Sequence, residues 1–372
     1  MDAEIGTGVT VTPDPPSMPT HKRVTLTDVA LYAGVSRATA SLVLRDAGSL
    51  TDTTREKVRT AMDVLGYVYH RGAASLRASR TQSIGLIVPD MSNGFTAEMT
   101  ITVESMLAEA GIVTLMANSL EDPGHQDLLV RSMLERQVDG LLFIPAVGTK
   151  RSFAENIVKS GVPAVIATRE MPHPGIPYVG IDNVKGGRLA GEHLLFHGVE
   201  RIAYLGGFAQ LGPRRDRIRG VRQALREAGS STNLDIDVPG PPRGFWGLET
   251  ARQLMDDGEL PDGVVCHNDL VAFGVYRALR QHPLRASDSL HTVSYDDVAA
   301  ASLWEPPLTT VAASGHEVGL RCAEVLLRRI ADPHGPVERS LITSNLVVRE
   351  SCGCHLPPMP PLEESTHDVL GR

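Results

Sequence analysis

Aromatic residues make up only 4% of the 372-residue chain, and it holds four cysteines. So few thiols in so long a chain exclude a disulfide-built scaffold. The longest apolar stretches, such as Gly140 to Val147, fall far short of the roughly 20 residues of a membrane-spanning helix. The first thirty residues show no apolar block behind positive charge, so no export signal is read and a cytoplasmic location is expected. No glycine-rich dinucleotide or triphosphate loop follows any apolar run, and neither a His-Glu-x-x-His zinc motif nor a Gly-x-Ser-x-Gly elbow occurs. Neither an enzyme nor a nucleotide cofactor is therefore expected.

What is present is globular in character, with 42% hydrophobic and 22% charged residues and a length that suits two or three domains. The net charge of −8 conceals a segregation. Residues 21–80 carry ten Lys or Arg against five Asp or Glu, whereas the remainder is acidic. A basic block joined to an acidic body points to a polyanionic partner for the block, with a solvated basic face as the plainer alternative.

Pro13, Pro15, Pro16 and Pro19 stand among Thr, Ser and Asp at the start, a composition that buries too little apolar surface to order itself. Three short helices are predicted next. Thr25-Leu26-Thr27-Asp28 has the capping-box form, Ser36 caps a second helix and Thr51 a third, in which Val58, Ala61, Met62 and Leu65 recur at helical spacing. Gly34 makes the turn and small Ala30 suits a helix crossing. Val35, Ala40 and Val43 pack back on the first helix, leaving Ser36, Arg37, Ala38, Ser41 and Leu42 to face a major groove. An ordinary three-helix bundle would show the same core.

From Ser83 the pattern changes to apolar runs, at 84–89, 112–118, 140–145, 163–168, 202–206, 264–267 and 292–295, alternating with amphipathic stretches. Such βαβ repetition predicts an α/β fold with parallel sheets covered on both faces and divided into two lobes. Ligands of such sheets sit beyond the strands' carboxyl ends.

The helix-turn-helix with its Asp28-Val29-Ala30, Gly34-Val35-Ser36 and Thr39-Ala40-Ser41 triplets resembles the amino-terminal signature of the LacI family of transcription regulators. So do Leu65-Gly66-Tyr67, Ala74-Ser75-Leu76-Arg77 and Ser83 to Ile87. The similarity continues through Val138-Asp139-Gly140, Asp182-Asn183, Arg217 to Gly220, Asn268-Asp269, Tyr295-Asp296-Asp297 and Pro307 to Thr310. It ends at Val348 to Ser351 and covers residues 22–353. It implies a homodimeric repressor that binds a palindromic double-stranded DNA operator and carries a type I periplasmic-binding-protein-like core for a small-molecule effector, here expected to be a sugar. The implied organisation is a disordered arm (1–21), an all-α headpiece (22–70), a hinge helix (71–81), an effector and dimerisation domain (82–355) and a flexible tail (356–372). Within the effector domain, lobe 1 is expected at 82–181 and 314–333, and lobe 2 at 182–313 and 334–355.

The resemblance implies DNA contacts from Thr25, Ser36, Arg37, Ala38, Thr39, Ser41, Leu42, Tyr67, Leu76 and Arg77. Arg37 suits guanine O6 and N7, while Ala38 and Leu42 suit a thymine methyl. Leu76 corresponds to the hinge leucine that wedges into the minor groove; Arg71, Arg77 and Arg80, whose charges flank the hinge, are expected to neutralise phosphates, with a solvated role as the alternative for each. In the cleft it implies Phe95, Thr96, Arg217, Asp269 and Asp296. The Arg217 fork and the Asp296 carboxylate suit neighbouring hydroxyls, Phe95 suits stacking, and Asp269 has the alternative role of capping the helix that starts at Leu270. Where some relatives carry a stacking aromatic before Gly247, this chain has Pro242, with Phe245 and Trp246 close by.

A solute-binding protein of a transport system is the second reading, since it shares the two-lobed core. It should carry an export signal and lack the headpiece. Adjacent Asp296 and Asp297 point to opposite sides of extended chain and make a poor acid and base pair. Cys352-Gly353-Cys354 with His355 shows no second ligand pair nearby in sequence, so no metal is expected, and Cys266 and Cys322 read as buried small hydrophobes.

Overall fold

The computed structural model describes residues 24–44, 46–68, 80–171, 175–229, 233–281 and 290–354. The expected arm, nearly all of the hinge with Arg71, Leu76 and Arg77, and the expected tail lie outside the described residues. The chain forms two compact units, residues 1–79 and 80–372.

The first unit has three helices, α1 (Leu26–Ala33), α2 (Arg37–Leu44) and α3 (Asp52–Leu65). Local chemistry sets their ends. Thr25 and Asp28 complete a capping box on α1, and the Ser36 and Thr51 hydroxyls accept from the Thr39 and Thr54 backbone N–H groups. Each such cap is worth about 1 kcal/mol. Gly34 and Gly66 end α1 and α3 with φ of 67° and 61°, left-handed values that cost glycine little. Val29, Ala30, Ala40, Val43, Val58 and Ala61 form the buried core of the unit.

The second unit is α/β. Lobe 1 is a six-stranded sheet of β1 (Ser83–Val88), β2 (Val113–Asn118), β3 (Gly140–Phe143), β4 (Ala164–Ala167), β5 (Tyr178–Ile181) and β11 (Arg339–Ile342), in the order β11-β5-β4-β3-β1-β2 and parallel throughout. It carries α4 (Gly94–Glu109), α5 (Pro123–Glu135), α6 (Arg151–Ser160) and α11 (Gly315–Ala331). Lobe 2 is a second six-stranded sheet, β12-β10-β9-β8-β6-β7. Its strands are β6 (Arg201–Leu205), β7 (Asn233–Val238), β8 (Gly263–Cys266), β9 (His291–Tyr295), β10 (Thr310–Ala312) and β12 (Asn345–Val347), of which β12 alone is antiparallel to its neighbour. Its helices are α7 (Asn183–Phe196), α8 (Gly212–Glu227), α9 (Gly244–Asp256) and α10 (Asp269–Gln281).

Successive strand residues feed opposite faces, so each sheet has a core on both sides. Ile84, Leu86 and Val88 join one cluster in lobe 1 and Ile87 the other, and lobe 2 has two clusters of its own. The chain crosses between lobes three times, after β5, after β10 and after β11. The expected change to lobe 2 at residue 334 needs correction: β11 pairs with β5, Ile342 opposite Ile181, so the change falls after Ile342. Thr81, assigned to the hinge, is held by lobe 1, because its N–H and that of Gln82 both donate to the Asp139 carboxylate at 2.8 and 2.7 Å.

Candidate functional site

In the first unit, Ser36 caps α2, which begins with Arg37 and Ala38, and all three are exposed. The Thr25 hydroxyl donates to the Asp28 carboxylate at 2.7 Å, and Thr39 shares a hydrogen bond with Ser36 at 2.9 Å, so both hydroxyls also serve the helix ends. Ser41 is half-buried. Leu42 is not the fully exposed side chain that the spacing predicts. It lies half-buried against Gly48, whose φ of 79° folds the following loop beneath it. Arg55 fastens that loop through the Asp46 carboxylate at 2.6 Å and the Gly48 carbonyl at 3.1 Å. Tyr67, expected to contact DNA, packs in part on the core of the unit. Arg80, expected to neutralise phosphate, donates instead to the Ile330 carbonyl at the end of α11 at 3.3 Å.

In the second unit a cleft of about 360 Å³ lies between the lobes, at the carboxyl ends of the strands. β1 delivers Asn93, Phe95 and Thr96, β2 Glu121, β3 Ile144, β4 Arg169, β5 Asn183, β6 Phe208 and Arg217, β8 His267, and β9 Asp296. Phe95, Thr96, Arg217 and Asp296 are thus brought together as expected. Phe95 belongs largely to the lobe 1 core, and the Thr96 N–H donates to Asn93 Oδ1 at 3.1 Å.

Arg217, 6% exposed, is held on three sides. Its Nε donates to Asn183 Oδ1 at 2.8 Å, its Nη1 to the His267 carbonyl, and its guanidinium lies 4.0 Å from the centre of the Tyr295 ring. Such a fixed fork presents donors at little entropic cost to a ligand. Asp296 accepts from Asn93 Nδ2 at 3.1 Å, a bond that joins the two lobes. Burial raises its carboxyl above the ordinary range, opposed by Arg217 and by the Asn93 hydrogen bond. Arg243 and Asp90 meet at 3.6 Å as a second link between lobes. His267 is held neutral: burial pushes its imidazole well below the usual range, and the positive charges of Arg217, Arg214 and Arg169 act in the same direction.

Asp269 does not line the cleft, which corrects its expected role as a ligand. It is fully buried, and accepts from the Val298 N–H at 2.9 Å and the Thr310 hydroxyl at 2.8 Å. The capping alternative fails too, since Asn268 Oδ1 takes the Val271 N–H at 3.1 Å. Asp269 instead holds the loop that follows Asp296. Burial, with the neighbouring Asp296 charge, pushes its carboxyl up to about 7. A carboxyl raised in the folded state stabilises it fully below the unfolded value of 3.8, and that contribution is lost as pH rises towards 7. Asp269→Asn mimics the protonated form. In urea titrations from pH 4 to 7, the variant should therefore lose a stability slope of up to about 1.4 kcal/mol per pH unit that the parent shows. Identical slopes would contradict the assignment.

Sequence reasoning missed Glu121 and Arg169, which form a two-pronged pair at 2.7 and 2.8 Å in the cleft wall, and also Asn93, Asn183, Phe208 and His267. Each lies just past a strand's carboxyl end or at a lobe crossing, the one signal available for them. Pro242 does line the cleft, and neither nearby aromatic joins it there: Trp246 packs beneath Gly240 and Gly206, and Phe245 is 75% exposed. Phe208 supplies a ring from the β6 side. Three acidic residues (Asp90, Glu121, Asp296) balance three arginines (Arg169, Arg217, Arg243) around the wall, which favours a neutral polar ligand over a multiply charged one.

Comparison with known proteins gives a consistent result. Residues 25–69 match the sequence profile described as bacterial regulatory proteins, lacI family, and residues 192–352 that of the periplasmic binding protein-like domain. The chain is 30% identical to the HTH-type transcriptional regulator DegA of Bacillus subtilis (strain 168) over 331 residues, 88% of this chain and 98% of that protein. It superposes on the lac repressor dimer bound to operator and the anti-inducer ONPF with a TM-score of 0.80 at 26% identity, covering 89% of this chain and 99% of that one. For the complex of the transcriptional regulator CelR with cellobiose, the TM-score is 0.67 at 30% identity, over 88% and 100% of the two chains. No helix among the described residues is long and apolar enough to cross a membrane.

Proposed function

The chain belongs to the lacI family of bacterial regulatory proteins and is a DNA-binding transcriptional regulator, not an enzyme; we propose that it works in the cytoplasm as a homodimeric repressor on a palindromic operator, with a neutral sugar as effector. The observation that carries the effector reading is the charge-balanced cleft whose wall includes buried Arg217, Asp296, Phe208 and Phe95. A carboxylate accepts from two adjacent hydroxyls, a guanidinium donates to two oxygens, and rings cover the apolar face of a pyranose. The cellobiose complex of a relative with the same fold supports the choice. The solute-binding reading is set aside, because residues 25–69 match the regulatory profile.

The proposed organisation keeps the headpiece at 22–70 and moves the lobe boundary to the end of β11. The proposed base-reading residues are Arg37 and Ala38, exposed at the start of α2, with Ser36, Thr39, Ser41 and Leu42 beside them, and Thr25, Tyr67, Leu76 and Arg77 as further DNA contacts. Phe95, Thr96, Arg217 and Asp296 remain the proposed effector contacts. The deciding experiment is a mobility shift on the DNA upstream of the chain's own gene, with and without a panel of mono- and disaccharides, followed by calorimetry. Binding of a purine or an amino acid with no heat from any sugar would overturn the effector assignment.

Arg37→Ala should weaken binding to the cognate operator by about 1 to 3 kcal/mol per half-site and relax selection at one guanine position. Competition with operators randomised at each position reads the effect. Equal losses on cognate and scrambled DNA would mean that Arg37 touches only phosphate.

A further inference from the structure

At the end of lobe 2 remote from the cleft, two pairs of metal-ligating side chains far apart in sequence converge. His193 lies in the last turn of α7 and His197 caps its end one turn later, so their rings share one face. Cys352 and Cys354 arrive from the other end of the chain, which supplies the second ligand pair that the local sequence around the cysteines lacks. One nitrogen or sulfur atom from each of the four lies within 4.8 Å of every other. Cys354 Sγ is 3.3 Å from His197 Nε2, close to the roughly 3.5 Å that separates sulfur and nitrogen on the edge of a tetrahedral zinc site with bonds of about 2.3 and 2.0 Å.

Three further observations indicate that the cluster is built rather than accidental. His193 Nε2 is buried with no hydrogen-bond partner, an arrangement that costs free energy unless something else occupies the lone pair. The turn between the cysteines depends on Gly353, whose φ of 87° lies in the left-handed region. A Cβ there would also sit 2.8 Å from the His291 ring, so only glycine lets both sulfurs point the same way. His291 in turn stacks on His197 with ring centres 5.2 Å apart and directs Nδ1 at the Cys352 carbonyl, fixing both the histidine and the cysteine turn from outside.

We propose that His193, His197, Cys352 and Cys354 form a structural site for a zinc-type divalent cation that clasps the carboxy-terminal segment to α7. Two thiolates and two imidazoles in a closed tetrahedral set suit zinc over the hard, oxygen-seeking cations. The site is structural and separate from the effector cleft: His291 opens β9 and Asp296 follows its far end, about 16 Å away at 3.3 Å per residue.

The test uses the untagged full-length chain, purified with reductant and dialysed against zinc or cobalt(II). One metal per chain is expected. The cobalt form should show the d–d bands and thiolate-to-metal charge transfer of a tetrahedral sulfur–nitrogen site, and zinc X-ray absorption should give two sulfurs and two nitrogens. Cys354→Ser and His193→Gln should each abolish the cobalt spectrum while far-ultraviolet circular dichroism stays native. If a variant fails to fold, the cobalt spectrum and the absorption ligand count of the parent decide alone. A parent chain that takes up neither metal, or a folded variant that keeps the spectrum, would overturn the assignment.

Discussion

Arg217→Ala should leave a protein that still binds operator but has lost its response to effector, with calorimetric affinity for the sugar lowered by 100-fold or more. The size of the loss follows from how the side chain is held. Its Nε and Nη1 are spent on Asn183 and the His267 carbonyl, and the Tyr295 ring covers one face, so what remains of the fork points into the cleft beside Asp296. A charged donor of this kind contributes about 1.5 to 3 kcal/mol per ligand hydrogen bond, and two such bonds account for the expected loss. Removing the guanidinium also leaves Asn183 Oδ1 without its donor and Asp296 without the one positive neighbour that opposes its burial. Arg217→Lys separates the two effects: it keeps a charge near Asp296 but lacks the planar fork, so it should recover part of the binding and little of the selectivity among sugars. An Arg217→Ala protein with unaltered sugar affinity would place the effector elsewhere.

Asn183 and Arg169, which complete this cleft, were harder to read from the chain than Arg217, and the reason is physical. The headpiece was legible because its signals are local: a capping box at Thr25 and Asp28, a left-handed Gly34, a cap at Ser36 and apolar residues at helical spacing. Seven strands, β1–β4, β6, β8 and β9, were legible as continuous apolar runs, whereas the interior strand β5, buried throughout, was not, because its four residues Tyr178–Ile181 include a glycine and form no extended apolar run. The edge strand β7 was not, since Asn233–Val238 alternates polar and apolar residues with one face in solvent. Strands β10, β11 and β12 are three or four residues long, too short to show a period. Which lobe β11 joins depends on its pairing with a strand far away in sequence. Leu42 looked exposed by periodicity and is half covered, because the loop at Gly48 folds under α2. The Glu121–Arg169 pair spans 48 residues, and the Cys354–His197 contact spans 157, so neither belongs to a pattern that a window of sequence can display.

Gly187→Val should be among the most destabilising single changes in the molecule, lowering unfolding free energy by about 3 kcal/mol or more in chemical denaturation. Helices α7 and α8 cross through glycines. A Cβ on Gly187 would fall inside the van der Waals radius of Arg217's backbone carbonyl, and one on Gly220 would do the same at the carbonyl of Val184. Backbone cannot yield as a flexible side chain does, so even a methyl forces the helices apart, and overpacking of this kind costs about 1 to 3 kcal/mol, more when the added group is branched. The functional consequence follows from where the contact lies. The atoms that Gly187 touches are the main chain of Arg217 itself, and Asn183, the side chain that orients the guanidinium, sits one turn earlier on the same helix as Gly187. Separating the helices therefore moves the fork away from its partner, and a displacement near 1 Å at a positioned polar group is costly in its own right. Gly187→Ala should show the same signs at smaller size, with reduced sugar affinity in the fraction that remains folded. Gly212→Ala is the matched control: no atom lies within 4 Å of its added Cβ, so its stability should stay within about 0.5 kcal/mol of the parent. Equal stability of the Gly187 and Gly212 variants would show that the helix crossing tolerates side chains, and the account of how Arg217 is positioned would then fall with it.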